Sequence, residues 1–404
     1  MRRLKLAVLN LLRNRRRSLL TVAIVAIVVM ALMTSGGFGL YTYKSLKEGA
    51  ARSQGHLVFT QPGYFNSDEE YPLQNGLKNA DELRKRLLTD SQVKAVQPRI
   101  YLNGLISNGD KSTIFLGQGI LPSEFRVKGP FLNMTEGGIL SKNEDPTDPQ
   151  IMLAKDLARN LNVKTGDYVT LMSTTVDGAL NALDFKVQGV FGTGVPDMDK
   201  RQVYLSINSA QFILDSEKVS TMHLYGYELE DTEVLKARLA EQAPELEITT
   251  WEDRAFFYQG VKSLYDRIFG LMGVIMAMVI FVSLFNTLAM SVTERTREIG
   301  TLSALGTSRA ELLLGFVLEA LVLSLVGAIV GILLAAAVSM SLMVFEVTMP
   351  PPPGKTESYP LVVYFSMNLA WMISLAVAAI CILSSFMAAR KGVNKPITEA
   401  LVHV

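Results

Sequence analysis

The sequence predicts an integral membrane α-helical protein with four transmembrane helices and a large external α+β domain inserted between the first and second spans. Three observations predict it. Of 404 residues, 49% are apolar and only 19% charged, and the apolar excess is gathered into four runs. Each run is long enough, at about 1.5 Å per residue, to cross roughly 30 Å of hydrocarbon. The stretch between the first and second runs has the mixed composition of a soluble domain. Basic residues also alternate with the runs. Seven Lys or Arg precede the first, Arg295, Arg297 and Arg309 lie between the second and third, and Arg390, Lys391 and Lys395 follow the fourth. This bias places both termini in the cytoplasm and residues 41–267 outside.

Residues 1–18 carry Leu4, Val8, Leu11 and Leu12 on one helical face, with Arg2, Asn10, Arg13 and Arg17 turned largely away. That is a basic amphipathic helix suited to the interface beside anionic lipid. Residues 19–40 form the first span. Its basic front and the small residues Thr34, Ser35 and Gly36 also fit a signal peptide with a cleavage site, but the apolar run exceeds a usual signal core.

In the external region two stretches share a pattern of strand and helix. The first has a strand at Leu57 to Thr60, a helix over Asn79 to Thr89 and an apolar-rich segment Val93 to Leu105. The second has a strand over Met222 to Leu229, a helix over Asp231 to Gln242 and a strand over Leu246 to Thr250. Their pairing gives an α+β subdomain from about 55–110 and 215–250. Between them, about 111–214, Ile151 to Leu161 reads as helix. Tyr168 to Met172, Phe185 to Phe191 and Val203 to Leu205 read as short strands with glycine turns, an inserted and mainly β subdomain. Trp251 to Arg267 reads as helix running into the second span, and Tyr41 to Ala51 as its counterpart after the first. They are either stalks or tethers, and the absence of proline from the Trp251 segment weakens the second reading.

The second span covers 268–292, the third 312–345 and the fourth 361–389, with an external loop at 346–360 stiffened by Pro350 to Pro353 and a basic tail at 390–404. Between the second and third spans, residues 293–311 read as a short helix in which Ile299, Leu302 and Leu305 recur at helical spacing. Gly306 stops it, and Ser308 with Glu311 offers a capping box for the next helix. From spacing alone this piece is either a lever lying on the membrane face or a charged loop that fixes topology. In the third span Gly327 and Gly331 form a Gly-x-x-x-Gly pair for close helix packing, within one chain or between two. Glu319, an acid in an apolar span, is a functional candidate by its placement, or a group reaching interfacial water from near the span's end.

Several chemistries are excluded. Near-neutral charge argues against a broad nucleic-acid surface. The single Cys381 permits no disulfide or multi-thiolate metal site within one chain, and His56, His223 and His403 are scattered. Gly354-Lys355-Thr356 lacks the glycine a phosphate-binding loop needs five positions earlier, where Met349 stands. Neither a Gly-x-Ser-x-Gly elbow nor a His-Glu-x-x-His helix occurs. The sequence therefore predicts no enzyme and no cofactor bound by this chain.

The order Glu294, Arg295, Arg297, Glu298 and Gly300, then Leu305-Gly306, then the Glu319 span with Gly327 and Gly331, resembles the C-terminal permease region of the MacB, LolC/LolE and FtsX (type VII) ABC transporters. LAKDLARNLNVKTGDYVTLM with FKVQGVF resembles the family's periplasmic core, closest to the LolC/LolE branch, and the tail with Pro396, Glu399, Ala400 and Leu401 resembles the family's ending. The resemblance implies a bacterial inner-membrane permease with a periplasmic MacB-like domain. It makes 293–311 a coupling helix docked on a partner ABC ATPase through Glu294, Arg295, Thr296, Arg297, Glu298, Ile299, Gly300, Leu302, Leu305 and Gly306. ATP and Mg would enter through that partner alone. It further implies a second permease chain, identical or related, contact with membrane lipid, and a periplasmic carrier or adaptor, with Glu319, Gly327 and Gly331 in transmembrane packing or a dimer interface. The expected function is mechanotransmission for release of a lipoprotein or lipid-anchored substrate. Efflux through an adaptor, FtsX-like control of an external hydrolase, and a motorless membrane-anchored binding protein are the alternatives.

Overall fold

The computed structural model describes the chain except residues 1–8, 12, 14, 67–71, 129–131, 143, 144, 146, 351–357 and 395–404, and side chains at 256, 257 and 392. Most of the amphipathic segment's first turns, the residues from 351 to 353 of the proline run, Gly354-Lys355-Thr356 and the Pro396 tail lie outside the described residues. The chain divides into two compact units, one made of Met1–Ser45, Gly260–Met349 and Pro360–Val404, the other of Leu46–Gln259 and Pro350–Tyr359.

In chain order the elements are α1 (Arg15–Gln54), β1 (Leu57–Thr60), α2 (Ala80–Leu87), β2 (Val93–Ser107), β3 (Ser112–Ile120), α3 (Ser123–Lys128), β4 (Asn133–Gly137) and β5 (Gln150–Ala154). There follow α4 (Lys155–Leu161), β6 (Tyr168–Thr174), β7 (Leu180–Gly192), α5 (Pro196–Asp199), β8 (Gln202–Ser206), α6 (Ile207–Leu214), β9 (Thr221–Gly226), α7 (Thr232–Gln242) and β10 (Glu247–Thr250). The chain closes with α8 (Trp251–Arg254), α9 (Phe256–Glu294), α10 (Thr296–Ala304), α11 (Arg309–Val344) and α12 (Met367–Val393). Helices α1, α9, α11 and α12 are each long and apolar enough to cross a membrane.

In the soluble unit, β10, β1, β9 and the first half of β2 form an antiparallel sheet. The second half of β2 pairs β3, and the ladder continues through β8, β5, β7 and β6 back to β2, closing a six-stranded barrel. Closure leaves none of those six strands with a free edge along its whole length. Phe115, Phe185, Leu171 and Ile106, all fully buried, belong to its packed core. Because β2 serves both sheets, the expected subdomain division near residue 110 does not hold; the changeover lies inside one strand, at Arg99, which is in register with Thr221 of β9 and Ile120 of β3.

The helix expected over Ile151 to Leu161 is instead a buried strand, β5, followed by α4. The run Ile-Met-Leu-Ala finds ladder partners on both sides, in β7 and β8, and a short apolar run cannot tell strand from buried helix by itself. The Trp251 helix is also interrupted. A capping box on Thr250 opens a single turn, α8, which stops at its C-cap Ala255, and Trp251 is buried with Ala51, Ala255 and Tyr258 of α9.

In the membrane unit, α1 lies on α11 through Val25 and Val29, and α9 and α12 complete the core with Ile280, Leu284, Ala370 and Val377. The fourth span, expected from 361, starts as helix only at Met367. Leu361 to Ser366 form neither helix nor strand because their backbone bonds elsewhere. Leu361 N–H donates to Val347 O (2.7 Å), Tyr364 N–H to Gly37 O (3.2 Å), and Val363 O accepts the Ser339 hydroxyl (2.5 Å). A side chain on Gly37 would collide with the Tyr364 carbonyl, so glycine is required there.

Candidate functional site

The coupling segment is built by two breaks in a nearly continuous helical path. α9 ends at Glu294. Arg295 leaves helical geometry (φ −100°, ψ 13°), and α10 begins at Thr296, whose hydroxyl donates back to Thr293 O (2.7 Å) and Val292 O (3.2 Å). Such side-chain bonds satisfy carbonyls that the ending helix leaves open. At the far end Gly306 takes φ +90°, Thr307 N–H bonds Leu302 O (3.0 Å) and Gly306 N–H bonds Ser303 O (3.1 Å). This paired pattern is a Schellman stop, which needs a residue free of Cβ strain. Ser308 then caps α11, its hydroxyl accepting Glu311 N–H at 3.3 Å. The helix is thus shorter than the 293–311 range: Thr293 and Glu294 belong to α9, and Arg309 to Glu311 to α11.

One face of α10 is anchored. Ile299 is buried with Val292, Leu312, Phe316, Ala389 and Val393, and Thr296 and Gly300 are buried beside it. The other face is open. Glu294, Arg297 and Glu298 are exposed, Leu302 is 44% and Leu305 79% accessible. A groove of about 250 Å³ runs along α10 and α11, lined among others by Leu302, Thr307, Leu312 and Phe316.

Arg295 is the hub of a polar cluster. Its Nη1 donates to Glu319 Oε1 (3.0 Å) and Oε2 (3.3 Å), its Nε to Glu298 Oε2 (2.9 Å), and its guanidinium carbon lies 5.4 Å from the Phe316 ring centroid. Asn10 Nδ2 donates to Glu319 Oε1 (2.7 Å), Arg13 pairs with Glu298 (2.7 Å) and Arg17 with Glu294 (2.8 Å). Burial lowers the Arg295 pKa, but Glu319 and Glu298 outweigh it and raise the group above its ordinary value. Hydrogen bonds from Arg13 and Arg295 hold the Glu298 carboxyl below the usual range. Glu319 is therefore a buried partner of Arg295 rather than a group reaching interfacial water. The sequence signal for Asn10, Arg13 and Arg17 is the amphipathic pattern of residues 1–18, which by itself points to lipid headgroups and not to Glu294, Glu298 and Glu319.

Gly327 and Gly331 face α1 of the same chain. A Cβ on Gly327 would come within 2.6 Å of Val25 Cγ1, and one on Gly331 within 2.7 Å of the Ala26 carbonyl oxygen. Among the described residues, no group of three or more His, Cys, Asp or Glu could hold a metal ion.

Two family models match. The FtsX-like permease C-terminal model covers residues 270–397, and the MacB-like periplasmic core domain covers 18–242. The lipoprotein-releasing system transmembrane protein LolC of Xylella fastidiosa strain Temecula1 is 25% identical over 258 residues, 61% of this chain and 60% of that protein. LolC of Neisseria meningitidis serogroup B is 27% identical over 343 residues, 80% of this chain and 79% of that protein. The macrolide export ATP-binding/permease protein MacB of Aggregatibacter actinomycetemcomitans is 22% identical over 349 residues, 82% of this chain and 52% of the relative. The chain thus spans 60% of the Xylella relative and about half of the MacB relative. With a core-domain match over more than half its length and the permease match after it, the chain belongs to the MacB-like and FtsX-like family of ABC transporter permeases.

Proposed function

We propose that the chain is a permease working by mechanotransmission: a partner ABC ATPase grips α10, and its stroke moves the soluble unit. The observation that carries this reading is the division of α10 into an anchored face and an open one. Ile299 and the Arg295 cluster tie it to the ends of α9 and α11, while Leu302 and Leu305 stay uncovered. An exposed leucine near charged neighbours has little worth to the chain alone but suits a hydrophobic interface core. The alternation of basic residues supports a cytoplasmic side for α10 and both termini, and the bacterial relatives support an inner membrane with the soluble unit in the periplasm. ATP and Mg are bound by the partner, and a second permease chain, identical or related, completes the unit, because four spans are few for a closed path. The names of the LolC relatives favour release of a lipoprotein or other lipid-anchored substrate to a carrier. The MacB relative keeps efflux through an adaptor as the second reading.

The test is docking. Leu305→Ala should leave thermal unfolding of the purified full chain unchanged within about 0.5 kcal/mol, as expected of an exposed site. It should weaken ATPase association about tenfold or more, the effect of losing about 1.4 kcal/mol at an interface. Co-purification of the ATPase at wild-type yield with Leu305→Ala combined with Glu298→Lys would sink the reading. Depletion then separates substrates: lipoproteins retained in the inner membrane support release, and drug sensitivity with normal sorting supports efflux.

A further inference from the structure

We infer that Arg99, with Glu124, Lys128, His223 and Tyr225, clamps the C-terminal carbonyls of α1, and that this clamp passes movement of α1 into β2 and β9. The second half of the inference rests on the mechanotransmission reading.

The last carbonyls of a helix have no N–H partner within it. At the end of α1 three consecutive ones are taken up by side chains of the soluble unit. Tyr225 OH donates to Arg52 O (3.3 Å), Arg99 Nη2 donates to Ser53 O (2.8 Å), and His223 Nδ1 meets Gln54 O. A carbonyl only accepts, so Nδ1 carries the proton and Nε2 accepts the Thr221 hydroxyl at 2.7 Å. Burial, with the Arg99 charge acting in the same sense, pushes His223 well below its usual range, and the ring is neutral. Arg99 Nη2 also reaches Tyr225 OH (3.0 Å), and its Nε reaches Glu124 Oε1 (2.8 Å), the oxygen that Lys128 Nζ contacts at 2.5 Å. Arg99, Glu124, Lys128 and His223 are all 95% or more buried.

Charged side chains in a dry site are costly unless each finds partners, and here Arg99 and Lys128 both meet Glu124. The C-terminus of α1 supplies Arg99 with a further acceptor, since a helix end carries roughly half a negative charge and Ser53 O takes Arg99 Nη2. The position of the clamp matters too. Arg99 is the residue at which β2 passes from the β9 ladder to the β3 ladder, so α1 is held at the joint between the four-stranded sheet and the barrel.

The test uses the full chain with its ATPase in lipid nanodiscs, read by hydrogen–deuterium exchange. Arg99→Met leaves Glu124 and Lys128 as a balanced pair, so the fold is expected to survive. Exchange of the Gly55 and His56 amides should rise about tenfold or more, the loss expected from one charge-assisted hydrogen bond, while barrel amides keep their protection. ATP hydrolysis should stay near the wild-type rate, and the change in exchange that ATP with vanadate produces in β2 and β9 should disappear. Arg99→Lys should behave like Met, because an ammonium cannot reproduce the guanidinium fork. If Arg99→Met fails to fold, Tyr225→Phe removes only the hydroxyl bridge and should give a smaller rise in the same amides. Unchanged exchange at Gly55 and His56 overturns the clamp. A loosened helix end with the ATP-dependent change intact overturns its coupling role. If no ATPase assembles with the wild-type chain, the functional reading fails, and exchange at the helix end decides the clamp alone.

Discussion

Arg295 joins segments far apart in the chain. It sits at the break between α9 and α10, with Glu319 of α11 on one side and Glu298 of α10 on the other, while Asn10 and Arg13 reach the same two carboxylates. Glu319 is only 7% exposed, so removing Arg295 leaves a nearly buried charge with the Asn10 amide as its other described donor. A double-mutant cycle of Arg295→Ala and Glu319→Ala, read by thermal unfolding of the full chain, should return a coupling of about 1–3 kcal/mol. Additive losses would mean that the pair holds nothing together. Glu298 is half exposed, and its effect is better read against pH. Its pKa lies below the ordinary value of 4.5 in the folded chain, so its stabilising contribution is complete above about pH 4.5 and is lost as pH falls through the depressed value. Glu298→Gln should therefore lower stability in the neutral region and flatten that part of the acid limb, the two chains converging at low pH.

Among the elements, α11 shows how close packing works without a hydrophobic drive. Lipid tails are as apolar as leucine, so spans associate by contact and polar bonds. Gly327 and Gly331 let α1 approach until a methyl group no longer fits, whereas Gly315 of the same helix has open space around its Cα. Gly331→Ala should therefore destabilise the chain by about 1–3 kcal/mol through overpacking. Gly315→Ala should be neutral or gain up to about 1 kcal/mol from helix propensity. Equal shifts in melting temperature for the two would remove the packing argument. The glycine spacing was legible in the sequence; the partner was not, because a Gly-x-x-x-Gly pair states that something comes close without saying what. α10 divides in the same way. Its spacing and Gly306 stop were readable, but its true start depends on Arg295 turning to meet Glu319, a contact between residues 24 positions apart.

At the scale of the whole molecule, four apolar runs and one soluble stretch carry the architecture, and the alternation of basic residues predicts its orientation. Cysteines introduced at the exposed positions Thr301 and Asp177 should label with an impermeant thiol reagent from opposite faces of the membrane, the native Cys381 being buried. Labelling of both from one face would overturn the orientation. The barrel was much less legible. β3 is interrupted by Gly117 and Gly119, which break its alternation, yet a Cβ on Gly119 would lie 2.5 Å from Ala210 of α6. The glycine answers a helix that sequence alone does not place there.

What the sequence determined by itself is whatever solvent decides residue by residue. Runs of apolar side chains must meet lipid, charges must stay out of it, and helical spacing with a glycine stop shapes one short helix, so membrane class and the number of spans were readable, while the family was legible only as a resemblance in motif order. What tertiary structure decided is which distant groups satisfy one another. The closing of the barrel through β6, the division of β2 at Arg99, the non-helical entry to α12 and the clusters around Arg295 and the end of α1 all follow from backbone and charge partners far off in the chain. A buried polar group must find such a partner, and no local pattern states which one it will be.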